Sequence, residues 1–215
     1  MHDASTTWLN PVTLEGRHVR LEPMQMAHVP ALREAAKDGE LWKLWYTSVP
    51  SPETVEAYVA TALEERDAGK SLPFVVRDAK GDVVGSTRYC HVDATNRRVE
   101  IGYTWYAARV QRTGLNTEAK RLLLGHAFEA LDCIAVEFRT NWFNQRSRAA
   151  IARLGAKQDG VLRSHLIMAD GSLRDTVVFS IIASEWPAVR RHLQFLLERH
   201  ATIRNPQSSL KDQKP

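Results

Sequence analysis

Apolar positions recur at two periods along this chain, and the changes of period divide it into elements. Between residues 28 and 37 they fall at Val29, Leu32, Ala35 and Ala36, a helical spacing that Gly39 ends. Ser51 before Pro52 predicts an N-cap followed by proline at the first helical position. That helix runs to about Ala68, with Val55, Tyr58, Val59 and Ala62 on its buried face. Beyond Gly69 the period shortens. Residues 72–77, 83–89 and 99–106 predict three strands of an antiparallel meander, the first two joined by the Asp78–Asp82 turn. A long helix over about 116–131 follows, with Ala119, Leu122, Leu123, Ala127, Ala130 and Leu131 on one stripe. A strand over 134–140, a helix over 145–154 stopped by Gly155, and a hairpin of 161–168 with 175–182 through Asp170-Gly171 come next. A last helix opens at Ser184 and reaches about His200, and residues 12–23 form two short extended pieces about Gly16. The order is α+β: an antiparallel sheet first, then a β-α-β-α-β segment.

Composition adds limits to this picture. The 215 residues are 44% hydrophobic and 25% charged, enough for a globular core without metal or disulfide staples. We expect one domain over 1–204 and a disordered polar tail over 205–215. Cys90 and Cys133 stand alone, which argues against a disulfide framework or a zinc ribbon and suits a reducing compartment. Neither a leader nor an apolar run of about 18 residues is seen, so a cytoplasmic protein without a membrane partner is expected. The net charge of +4 hides a split. Residues 1–107 hold 12 Lys/Arg and 15 Asp/Glu, a net −3, whereas 108–215 hold 17 and 10, a net +7. A basic half can attract an anionic cofactor, although a solvated surface needs no ligand to explain it. Nucleic acid is disfavoured, because the arginines are dispersed and no binding motif accompanies them.

Chemistry concentrates where the strand ending at Tyr106 leads into Gln111-Arg112-Thr113-Gly114-Leu115-Asn116-Thr117-Glu118. A strand, a turn and a helix N-terminus in succession present unpaired N–H groups and the positive end of a helix dipole to an anion. Gly114 lets backbone approach a phosphate, and Arg112 adds a cation. Neither GxGxxG nor GxxxxGK[ST] is present, which excludes dinucleotide-fingerprint and P-loop readings.

The Gln111–Asn116 segment resembles the Q/R-x-x-G-x-G/A pyrophosphate loop of GNAT-fold acetyltransferases, with Asn116 in place of the final small residue. The form Gly-x-Asn-Thr-Glu-Ala is similar to that of the RimJ/RimL-like branch. Asn144-Gln145-Arg146-Ser147, Leu154-Gly155-Ala156 and the Asp170–Asp175 hairpin with Ser180 match further motifs of that branch in order. The resemblance spans about residues 12–187. It implies a mixed, mainly antiparallel sheet splayed at its centre and flanked by helices, with acetyl-CoA as co-substrate and direct transfer to an amine. The strand through Glu100 and Tyr106 would splay from that over 134–140. The pantetheine arm would then pair with backbone near Thr104, Trp105 and Tyr106, and the pyrophosphate would sit on amides of Arg112, Thr113, Gly114, Leu115, Asn116 and Thr117, beside Gln111. A backbone N–H on the splayed strand would stabilise the oxyanion.

Each candidate has a plainer alternative. Glu100 could take the proton of the attacking amine, or it could simply pair with Arg97 or Arg98. Asn144 and Ser147 could contact the cofactor arm, or cap a helix. Ser147, Tyr106 and Tyr103 compete as proton donor to the leaving thiolate. Trp42, Trp45 and Tyr46 lie where the fold commonly builds its acceptor wall, yet such aromatics are often core. His91, His126 and His165 show no ligand spacing, so no metal is expected, and Cys133 reads as a small apolar residue.

The expected function is N-acetylation of a primary amine, on a peptide N-terminus or a small molecule. The negative first half is consistent with a cationic acceptor. The alternative is a non-catalytic acyl-CoA-binding regulatory module. The oligomeric state stays open, a homodimer included.

Overall fold

The structure is a computed structural model that describes residues 8–204, with side chains described through Arg199. The expected tail over 205–215 lies outside the described residues. The period-2 segments pair into a single sheet of eight strands in the order β1-β2-β3-β4-β5-β6-β8-β7. These are β1 (Leu14–Glu15), β2 (Val19–Pro23), β3 (Leu72–Asp78), β4 (Val83–Asp93), β5 (Arg98–Tyr106), β6 (Ala135–Asn141), β7 (Lys157–Ile167) and β8 (Leu173–Ile182). Every pairing is antiparallel except β5 with β6.

Side chains alternate along β4 and so fix the layers. Ser86 and Arg88 reach α2 (Val55–Asp67): Tyr58 Oη lies 2.7 Å from Ser86 Oγ, and Arg88 pairs with Glu65 at 2.9 Å. Thr87 and Tyr89 reach α3 (Leu115–Gly125) on the opposite face. There the buried Tyr89 hydroxyl donates to the Leu123 carbonyl at 2.5 Å. The first helix, α1 (Val29–Lys37), lies beside α2 and packs on β4, and α5 (Trp186–Arg204) packs on α3. A short helix, α4 (Gln145–Ala152), follows β6.

Several boundaries differ from the expectation: β4 runs on to Asp93, past residue 89, and β7 begins at Lys157, ahead of residue 161. The second helix starts at Val55, with Thr54 at the N-cap position. Ser51 instead closes a turn just upstream, in which its N–H donates to Thr54 Oγ1 at 2.9 Å and its carbonyl accepts from Thr54 N at 3.0 Å. The long helix also keeps α geometry only to Gly125, after which residues 126–130 widen into a π turn.

The centre of the sheet opens. Strands β5 and β6 pair only at Arg98–Ala135, Val99–Val136 and Glu100–Glu137, and beyond Glu100 they part. On its other side β5 slips register against β4 at two places. One lies beside Tyr103 at φ 50°, the other beside His91 at φ 46°. Non-glycine residues in this left-handed region mark bulges that re-aim side chains.

Candidate functional site

The opening between β5 and β6 holds a cavity of about 500 Å³. Its wall takes Ile101 to Tyr106 from β5, Gln111, Arg112 and Asn116 from the β5–α3 connection, and Asn141, Asn144 and Ser147 from the end of β6 and the start of α4. Leu41, Leu44 and residues 46–49 close it from the α1–α2 connection. Arg112, Lys120, Arg139, Arg146 and Arg174 line it, and among the described residues no Asp or Glu does. Buried donors without a partner gather on the same wall: Trp105 Nε1, Tyr106 Oη, Asn141 Nδ2 and Arg174 Nε. A buried donor left unpaired costs about 1–3 kcal/mol, so this wall suits a ligand that is anionic and rich in acceptors.

The β5–α3 loop is bent at Arg112, which adopts φ 59°, a conformation that costs a non-glycine residue about 1–2 kcal/mol. Gln111 Nε2 donates to the Tyr106 carbonyl at 2.9 Å and holds the loop on the strand. Thr113 Oγ1 donates to the Val110 carbonyl at 2.7 Å and accepts from Leu115 N at 3.2 Å. Gly114 at the N-cap position brings no side chain to α3, and Thr113 takes the Leu115 N–H, which leaves the N–H groups of Asn116 and Thr117 to the solvent or a ligand. Only Gln111, Arg112 and Asn116 of this segment line the cavity. Leu115 is core, Thr117 Oγ1 accepts from Arg153 at 3.1 Å, and a Cβ at Gly114 would point to His18 and Leu197, each 3.6 Å away.

Asn144 is the N-cap of α4, its carboxamide oxygen accepting from Ser147 N at 3.0 Å, and both residues line the cavity. The capping role is therefore realised, and the Asn144 NH2 and Ser147 hydroxyl remain to face the interior.

Glu100 sits where β5 and β6 begin to part, 6% exposed. It does not pair with Arg97 or Arg98, which are taken by Asp132 and Glu137. Its Oε2 instead meets His91 Nδ1 at 2.8 Å and Arg139 Nε at 3.4 Å. That hydrogen bond raises the His91 pKa. The left-handed backbone of His91 accompanies the reach of its ring to the next strand. Glu100 is not itself on the cavity wall, but Gly102 is. A Cβ there would come within 2.9 Å of Glu100 Oε1, so the glycine leaves that oxygen uncovered. Cys90, His91 and Glu100 bring their ligand atoms within 4.8 Å of one another. Their spacing in sequence does not display this. Burial, and secondarily Glu100, push the Cys90 thiol pKa up, so the thiol stays protonated.

Two further groups stand out. Burial raises the Tyr106 phenol pKa, keeping its unpartnered O–H protonated. Lys120 is 5% exposed, and Nζ donates to Thr104 Oγ1 at 2.6 Å and Thr87 Oγ1 at 3.2 Å. With hydroxyls alone for partners, burial lowers its pKa to about 7. Nothing in the loop motif points to Lys120. Its signal is a lysine among the apolar positions of an amphipathic helix, flanked by Ala119 and Leu123.

Of the three aromatics expected on the acceptor wall, Tyr46 lines the cavity and Trp42 and Trp45 do not. Trp45 is 53% exposed and packs against Tyr46 and Phe143, ring centroids 5.6 and 5.3 Å away. Cys133 is buried in the core, its thiol pushed up to about 12 by burial. Among the described residues no helix is long and apolar enough to cross a membrane.

Known proteins are similar to this chain in sequence and in fold. The acetyltransferase (GNAT) domain family matches residues 18–157. YdaF of Bacillus subtilis (strain 168), whose name describes a ribosomal N-acetyltransferase, is 34% identical over 106 residues. That match takes in 49% of this chain and only 57% of YdaF. A GCN5-related N-acetyltransferase from Brucella melitensis superposes with a TM-score of 0.78 at 30% identity, over 88% of this chain and 86% of that one. RimJ of Mycobacterium smegmatis, solved with CoA-disulfide, gives 0.73 at 24% identity, over 86% and 95%.

Proposed function

The chain belongs to the GNAT acetyltransferase family, and from that premise we propose that it binds acetyl-CoA in the opening between β5 and β6 and transfers the acetyl group to a primary amine. The observation that carries this reading is the cavity wall: cations and unsatisfied donors, with no carboxylate. Phosphates and amide carbonyls would answer both features, so acetyl-CoA fits the residues present. When bound, it supplies an acyl group activated as a thioester.

The chain's own residues do the rest. Arg112, Asn116 and the first-turn amides of α3 hold phosphate, assisted by the helix dipole. The backbone of Thr104, Trp105 and Tyr106, free of β6 where the strands part, orients the arm, and Asn144 lies alongside. Glu100 receives the amine proton at Oε1, through water over Gly102. His91 and Arg139 hold its other oxygen and keep the carboxylate ready to accept. Tyr106, protonated and unpartnered, is the donor that returns a proton to the leaving sulfur, with the Ser147 hydroxyl as second candidate. Tyr46 and the rim at Trp45 contact the acceptor. The name of YdaF supports a ribosomal protein N-terminus as that acceptor, and the cytoplasm as the place of action.

Calorimetry with acetyl-CoA, followed by release of free CoA thiol with a panel of amines, tests the reading. Binding with turnover is the expected result. Binding without turnover on any amine would favour a regulatory acyl-CoA module, and absence of binding would remove both.

A further inference from the structure

Four arginines face the cavity, and they are not equivalent. Arg112 stands at the β5–α3 connection, the end assigned above to phosphate, and Arg146 stands on α4. Arg139 has its charge answered by Glu137 at 2.9 Å and Glu100 at 3.4 Å. Arg174 comes from the first turn of β8 past the end of β6, where Thr176 is opposite Asn141. Its Nε is buried without a partner, and its guanidinium forms neither hydrogen bond nor ion pair among the described residues. Burial lowers its pKa, and the Glu100 carboxylate opposes that shift. Arg174 thus faces the same cavity as Gly102, the residue behind which the candidate base lies.

We propose that Arg174 selects acceptors that carry a carboxylate close to the reacting amine, binding that carboxylate through its guanidinium while Glu100 takes the proton from the amine. The inference rests on the acetyltransferase reading above. A guanidinium on the wall, with a carboxylate just behind the wall at Gly102, calls for two opposite charges near each other in the ligand. An ammonium and a carboxylate on neighbouring carbons meet that requirement, and a long diamine does not. A planar guanidinium matches a carboxylate with two parallel hydrogen bonds, and no protein group competes for its donors. Two sources supply this chemistry: the α-carboxylate of a free amino acid, and an acidic side chain at the start of a peptide. The proposal also replaces the cationic acceptor suggested by the charge of residues 1–107, because that half places no carboxylate on the wall.

The test uses the full chain with acetyl-CoA and matched acceptors: free glutamate against glutamine, and a peptide beginning with Asp against the same peptide beginning with Asn. A preference for the acid in one pair identifies the source. KM for the preferred acid should be lower than for its amide by roughly ten- to hundredfold. Arg174→Gln should abolish that preference, Arg174→Lys should restore part of it, and calorimetric affinity for CoA should stay unchanged in both. A preference that survives Arg174→Gln, or no preference in either pair, overturns the inference while leaving the acetyltransferase reading intact. Weakened CoA binding in Arg174→Gln would overturn it too, by assigning the residue to cofactor phosphate. Binding of acetyl-CoA with no turnover on any amine would instead sink the acetyltransferase reading, and this inference with it.

Discussion

The two faces of β5 bury charge in opposite ways. Toward α2, Glu100 is enclosed but meets His91 and Arg139, and neighbouring Arg88 meets Glu65 and two aromatic rings. Toward α3, Lys120 is enclosed to a similar degree and meets two threonine hydroxyls. With hydroxyls alone for partners, burial brings the lysine pKa down to about 7. At a similar depth of burial the two groups differ in their partners, ion pairs on one face and hydroxyls on the other. The face with paired charges holds the candidate base, and the other holds an amine that titrates near neutral pH beneath the strand.

Glu100→Gln should separate the faces most sharply. It keeps the shape and removes the charge, so kcat/KM should fall by about a hundredfold to ten-thousandfold at neutral pH with CoA affinity retained. The loss should shrink as pH passes the amine pKa, because the acceptor then arrives deprotonated. A pH–rate profile with an amine of known pKa reads this out, and a penalty that stays constant at high pH would mean a structural role.

Lys120→Met comes next and is read in stability. The folded pKa of about 7 lies below the unfolded value near 10.4, so the unfolded chain binds the extra proton between these limits. Stability contributed at this site is therefore present above the unfolded pKa and lost as pH falls towards 7. At pH 6 the variant should be more stable than wild type by about 3–5 kcal/mol, and the gap should close as pH rises towards 10. Urea midpoints over that range measure it. A pH-independent difference would mean that Lys120 keeps its charge through a partner.

Thr104→Val should have the smallest effect. It removes the nearer of the two acceptors for Nζ and costs about 1 kcal/mol at neutral pH. It should also move the rise of stability with pH to lower pH, since one fewer oxygen supports the ammonium. Denaturation of this variant alongside wild type decides whether the hydroxyls stabilise the ammonium at all.

The β5–α3 loop was legible because it is local: strand, turn, glycine and helix start are contiguous, and backbone N–H groups need no distant partner to converge. Its exact wall was not. Thr117 points to Arg153 and Gly114 to α5, since helix phase decides which residues of the first turn face the opening. Glu100 could be picked out as a candidate, but its pairing with Arg97 or Arg98 could not be decided. The β5–β4 register, offset at His91, brings in a residue nine positions away. Arg139 and Arg174 look like outward strand arginines, and only the order β5-β6-β8 sets them around one space.

By itself the sequence determined the succession of elements, the α+β class, the family loop and the basic character of the second half, which supplies every cation on the cavity wall. These follow from periodicity, turn chemistry and charge, all properties of neighbours along the chain. Tertiary structure alone decided that β5 leaves β6 after Glu100, that Lys120 meets hydroxyls, and that the buried Arg174 Nε has no partner among the described residues. Each of these depends on what lies across a strand gap or a helix face, where the free energy of a charge is set by groups far away in sequence.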